Sequence, residues 1–252
     1  MKRKYNWKPD LPDFRDHHYK KPMMFTRLAM PTKVDLRPFC PPVQDQNVIG
    51  SCTAHALTSA VEILEAIDKL PQTMMSRLFV YYNERDIEGT IGIDSGASLR
   101  DGIKALASKG CCPEDDWPYD ISKFTETPSD VAFADGLKHL ITSYERITDL
   151  EGMKTCLLSG FPFVFGFSVY DSFESDAVAK TGIVPMPELG ESCLGGHAVL
   201  ACGMDDEKKH FIVRNSWSDS WGDKGYFYLS FDYLSNTNLA DDFWTIRRGE
   251  LL

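Results

Sequence analysis

The sequence predicts an α+β protein, with its strongest helices early in the chain and its strands late. Two observations carry this. Apolar residues recur at three- and four-residue intervals mainly before about residue 140, whereas short β-branched and aromatic runs bounded by turn residues follow residue 160. Size agrees: 252 residues, 43% hydrophobic and 25% charged, can bury a large core, and that composition argues against a disordered chain.

Residues 1–42 show no sustained period, and prolines at 9, 12, 22, 31, 41 and 42 favour an extended segment. The first strong helix is expected from about Ser51 to Asp68, where Leu57, Ala60, Val61, Leu64 and Ile67 form one face and Pro71 prevents continuation. A second spans about 76–86. A third starts at Ser98, three residues before Asp101 as in a capping box, and stops at Gly110. Residues 111–135 read as a loop-rich connector. A short fourth helix fits 150–159, with Asp149 as N-cap and Gly160 just past its end. Strands are expected at 163–169, 197–203, 211–214 and 226–229, with 205–209 as an exposed hairpin connection. Phe161, Phe163, Phe165 and Phe167 then mark a core-facing side at period two. Three segments follow: a basic arm and possible short prosegment (1–30), a mainly helical part (31–140) and a mainly β part (141–252).

The formal charge is −10, which disfavours nucleic acid or an anionic membrane as partner. It is unevenly placed: residues 1–30 carry about +5 and the remainder −15. No apolar run reaches transmembrane length. The basic N-terminus lacks the apolar region of a signal peptide and no glycosylation acceptor occurs, so a cytoplasmic location is expected. Seven cysteines, at 40, 52, 111, 112, 156, 193 and 202, include no C-x-x-C pair, and no disulfide framework, metal or cofactor is expected.

Cys52 stands at the first turn of the best helix, after Gly50-Ser51. Unpaired amides and the positive end of the helix dipole there favour a thiolate. A buried, inert cysteine is the ordinary alternative for that position alone. Two later segments weigh against it. Gly195-Gly196-His197-Ala198-Val199 opens a strand, and Arg214-Asn215-Ser216-Trp217 ends one, followed by Trp221-Gly-Asp-Lys-Gly-Tyr226.

With Gln46 six residues before Cys52, these motifs resemble the papain family of cysteine proteases, in the family's order. Weaker echoes are Val34-Asp-Leu-Arg37 and Trp117-Pro-Tyr119, so the resemblance spans about residues 31–230. His197 lies 145 residues after Cys52, inside the roughly 130–150 typical of the family. The resemblance implies a papain-like fold: a helical left subdomain against a β-barrel-like right subdomain, with the active site in the cleft between them. It implies peptide-bond hydrolysis with Cys52 as nucleophile, His197 as general base and acid, Asn215 orienting the imidazole, and Gln46 with the Cys52 amide as oxyanion hole. Trp217 would shield the His–Asn bond. Ser51, Gly96, Gly196 and Trp221 would contact substrate, Trp221 walling the leaving-group side.

Departures are visible. The family's usual Cys-Gly-Ser-Cys-Trp reads Ile49-Gly-Ser-Cys52-Thr53, and its Gly-Gly substrate strand survives only as Ser95-Gly96-Ala97. Asp241 and Asp242 are candidates for a pocket floor that welcomes a basic side chain. His55, one turn after Cys52, is expected to pack into the scaffold rather than act as base. The partners implied are a peptide or protein substrate, handled by a monomer, and the chain's own basic arm, lying on the acidic body and partly filling the cleft. A strict exopeptidase or ligase would use the same residues. A silent binding module is disfavoured because Gln46, Cys52, His197 and Asn215 are all present.

Overall fold

The structure, a computed structural model, describes residues 3–22 and 31–249, so Lys2 and Arg27 of the basic arm lie outside the described residues. Seven α-helices and seven strands are described, in the order β1 (Lys33–Asp35), α1 (Cys52–Ile67), α2 (Arg77–Glu88), α3 (Leu99–Ser108), α4 (Asp130–Gly136), β2 (Ser143–Arg146), α5 (Leu150–Leu158), β3 (Phe163–Tyr170), α6 (Asp176–Thr181), β4 (Cys193–Asp205), β5 (His210–Arg214), β6 (Tyr226–Ser230), α7 (Phe231–Ser235) and β7 (Ala240–Arg247).

Helix α1 is the spine, buried from Cys52 to Glu65. Such burial forces its acids to find cations. Glu62 pairs with Arg77 at 2.9 Å and accepts the Met75 amide, and Glu65 meets His139 at 2.7 Å and also Arg248. The caps read from the sequence hold, the Ser98 and Asp149 side chains accepting amides of α3 and α5; Ser76 does the same for α2, which Gly89 ends at φ +68°. The connector 111–135 gains one unforeseen α-helix, α4, started by Ser129, and a short 3-10 turn at Ile121–Lys123.

The strands form one antiparallel sheet in the order β2-β7-β3-β4-β5-β6, with β1 on β4. The path is open, with β2 and β6 at its ends, so the barrel-like expectation is corrected to an open sheet. β1 comes from the segment read as helical, so the sheet recruits chain from both halves. Asp205 and His210 close the β4–β5 hairpin, with Lys209 at φ +53° in its turn. Phe163, Phe165 and Phe167 are fully buried along β3, while Phe161, just before it, is half-buried under Arg247.

Candidate active site

The sheet and α1 bring the candidate residues together. Cys52 opens α1, and its thiol is reached by the Ala198 amide of β4, which places it against the residue after His197. His197 lies mid-sheet opposite Phe167, whose ring is 5.8 Å away. Its Nε2 sits 2.9 Å from Asn215 Oδ1, and Nδ1 has no hydrogen-bond partner. Asn215 follows directly on β5; its Oδ1 also accepts the Ser216 amide at 2.8 Å, which fixes the amide plane. Trp217 stacks on the imidazole at 5.2 Å and 25°, and Trp221 meets Trp217 edge-on at 4.9 Å.

Gln46 is fully buried. Its Oε1 accepts from Ser216 Oγ at 2.6 Å, and its Nε2 donates to Ile49 O at 3.1 Å, leaving one amide hydrogen for an oxyanion. Ser216 is a positioning residue that the sequence reading missed, although its place beside Asn215 was a signal. Thr53, where the family usually has Trp, donates at 2.6 Å to Glu84, a buried carboxyl that desolvation pushes well above the usual carboxylate range.

Ser51 does not present its side chain to the cleft. Its hydroxyl is buried between Tyr119 (2.6 Å) and His55, whose Nδ1 lies 2.9 Å from Ser51 O. Burial pushes His55 down to about 3, so it is a neutral scaffold group. Asp242, read as a pocket floor for a basic side chain, is fully buried and already committed: it accepts from Arg146 and from the Asp10 amide, both at 2.7 Å. Arg146 also holds Asp241, at 2.9 Å.

Residues 3–10 of the arm thread the groove between these walls. The Trp7 amide donates to Gly196 O at 3.0 Å, and the Gly196 amide donates to Tyr5 O at 3.3 Å. Tyr5 lies edge-on to His197 at 6.2 Å, and Asn6 crosses Gly96 so closely that a Cβ there would stand 2.5 Å from Asn6 Cβ. Arg3 pairs with Asp45 at 2.7 Å and stacks over Trp217, and Lys4 pairs with Asp94 at 2.5 Å. Asp94 also accepts the Gly50 amide at 2.8 Å, tying the arm's anchor to the loop before Cys52.

Under this cover the pair is dry. Cys52 is 1% and His197 0% exposed. Burial pushes the Cys52 thiol up to about 12, against the lowering pull of amides from Ala198, Thr53 and Cys52 itself. Burial likewise brings His197 down to about 4, opposed by the Asn215 bond and reinforced by the Arg3 cation. The helix-dipole expectation of a thiolate is thus overridden in the covered state, where thiol and imidazole are both neutral.

Known proteins resemble this chain in sequence and in fold. The chain matches the papain family cysteine protease description over residues 30–244. It is 45% identical to a peptidase C1-like protein of Acanthamoeba polyphaga mimivirus, over 81% of this chain and 68% of that one. It is 27% identical to cysteine proteinase 3 of Entamoeba histolytica, over 85% and 67%, and 28% identical to bovine pro-cathepsin H, over 76% and 56%. The chain thus spans between about half and two thirds of the length of these relatives. The crystal structure of xylellain, a cysteine protease from Xylella fastidiosa, superposes with a TM-score of 0.92 at 44% identity, covering 99% of each chain. With the Cys, His, Asn and Gln motifs in place and the match running from residue 30 to 244, the chain belongs to the papain family of cysteine proteases.

Proposed function

We propose that this chain hydrolyses peptide bonds through a thioester on Cys52, and that its own arm keeps the cleft closed until displaced. The observation that carries the chemistry is the 2.9 Å bond from His197 Nε2 to Asn215 Oδ1, which leaves Nδ1 as the nitrogen free to serve Cys52. When water and substrate replace the arm, the burial that favours neutral forms is relieved, and the thiol proton passes to Nδ1. The thiolate attacks the scissile carbonyl, and the oxyanion is held by Gln46 Nε2 and the Cys52 amide. His197 returns its proton to the leaving amine as the C–N bond breaks. Water, deprotonated by His197, then attacks the thioester, releasing the acid and restoring the thiol. Asn215 holds the imidazole in plane, and Trp217 keeps water off that bond.

The arm reading rests on the backbone pairing at Gly196 and on the indole seated beside it. It keeps the sequence idea of charge attraction but adds an apolar plug. The test is cleavage of a mixed peptide digest by the full chain and by Cys52→Ala, read by mass spectrometry of the new termini. Internal cuts lost in the variant support an endopeptidase. Removal of terminal residues only would make it an exopeptidase, and joined peptides would make it a ligase; the persistence of cutting in Cys52→Ala would refute the thioester route.

A further inference from the structure

We infer that Cys40 and Cys202 form a reversible redox site separate from the nucleophile, closing a disulfide on exposure to a low-molecular-weight disulfide and so fastening the strap that carries Gln46 onto β4. All seven cysteines are free thiols in the structure. The fold nonetheless brings these two together. β1 lies on β4 with Asp35 opposite Gly203, and the Leu36 amide donates to Cys202 O at 2.7 Å. A tight turn at Arg37–Phe39 then folds the chain back, with the Cys40 amide on Arg37 O at 3.0 Å and Cys40 Sγ 3.6 Å from Leu36 O. Leu36 thus bonds both residues, and the two thiols lie within hydrogen-bond reach of each other.

Two features of this corner exceed what packing needs. Cys202 is fully buried, whereas Cys40 is half-buried beside the exposed Pro38 and Phe39, so one thiol meets a reagent and the other stands behind it. Arg214, only 3% exposed, directs its donors to Ser59 Oγ, Pro41 O, Pro42 O and Tyr226 Oη. Among the described residues no carboxylate lies within ion-pair distance of it, and Asp35, which also acts on Cys40, is held by Arg37 at 2.6 Å. A buried cation without a counter-ion favours an anion beside it. The Cys202 thiol, then the Arg214 charge and the Tyr226 hydroxyl, outweigh burial and hold the Cys40 thiol below the usual range, while burial pushes Cys202 well above it. The Cys40 thiolate therefore attacks one sulfur of the reagent, whose S–S bond breaks, and one half leaves as a thiolate that takes a proton from water. Cys202 sulfur next attacks the Cys40 sulfur, and the second half departs with the Cys202 proton. The protein loses two thiol hydrogens, and the reagent is reduced to two thiols.

The test treats the full chain with hydroxyethyl disulfide, blocks the remaining thiols in acid, and maps every cysteine by mass spectrometry of an unreduced digest. More than half of the molecules are expected to yield a peptide linking Cys40 to Cys202, lost on adding dithiothreitol. Cys202→Ala should stop at the mixed disulfide on Cys40, and Cys40→Ser should leave Cys202 free. Closing a loop of about 160 residues should raise Tm by about 5–10 °C, a rise absent from Cys40→Ser treated alike. The wild-type map needs no variant, so a variant that fails to fold leaves the test intact. A peptide-like epoxide is drawn to the cleft around Cys52, whereas a slim neutral disulfide needs only a thiolate within reach, so the two reagents report on different sites. Wild-type protein whose Cys40 stays free or stops at the mixed disulfide overturns the redox site, and linked protein that melts no higher than the reduced form overturns the fastening.

Discussion

Replacing Trp7 by alanine in the full chain should open the cleft. A buried tryptophan removes roughly 150–250 Å² from water, and at about 25 cal/mol per Å² this amounts to about 4–6 kcal/mol. The indole N–H has no partner in the socket, which costs back about 1–3 kcal/mol. A net contribution of about 3 kcal/mol remains, near the lower end of measured Trp→Ala losses in cores. At about 1.4 kcal/mol per tenfold, the open fraction rises roughly 100-fold while the closed form still dominates. Turnover of a small fluorogenic peptide at fixed enzyme concentration reads that fraction directly. The arm's ion pairs are partly exposed, Arg3–Asp45 and Lys4–Asp94 among them, and each is worth only about 0–1 kcal/mol. Those two pairs together contribute at most about 2 kcal/mol, so screening them with high salt should raise wild-type turnover by less than about thirtyfold. Turnover of Trp7→Ala within twofold of wild type would refute the plug, and a salt effect larger than that of the substitution would return the leading role to charge.

Three further outcomes are expected. Asn215→Ala removes one strong bond to the imidazole, and kcat should fall roughly 100-fold for a loss of about 3 kcal/mol, with KM little changed; a change confined to KM contradicts the orienting role. Gln46→Ala removes an oxyanion donor and should lower kcat by about 10²–10³, while trapping of Cys52 by an alkylating epoxide continues. Asp242, raised to about 7 by burial and by Asp10, sets a pH dependence on arm docking. Asp10, Asp241 and Arg146 are its charged neighbours, and Asp10 is raised as well. A carboxyl whose docked pKa is raised takes up a proton on docking, so docking is strongest at low pH and weakens as pH climbs from about 4 to about 7. The ratio of wild-type to Asp242→Asn trapping rates should rise across that window and then level; a flat ratio contradicts the linkage.

The parts legible in the sequence are those with local signals. Ser98 and Asp149 announced their helices through caps, and the Cys52, His197 and Asn215 motifs stand on contiguous residues. Strand β7 was hidden because Asp241 and Asp242 interrupt its apolar run. Their charge is answered by Arg146 from β2, and Asp242 adopts φ +57° where the β3–β7 register shifts. Strand β2 reads as polar because it is a sheet edge. The socket for Trp7 was illegible for a different reason: Gly196 was marked only as a substrate contact and Gly166 signals an ordinary strand glycine until the arm from the far end of the chain is laid across both. The thiol's covered state was equally out of reach, since helix position is local and burial is not.

The most direct test of a papain-type nucleophile hidden beneath its own arm is the rate at which an epoxysuccinyl trap labels each of the seven cysteines, in wild type and in Trp7→Ala, mapped by peptide mass spectrometry. The account predicts label on Cys52 alone, about 100-fold faster in the variant, following the open-fraction arithmetic above. Equal Cys52 rates in the two proteins, or label on the exposed Cys193 in preference to Cys52, would contradict it.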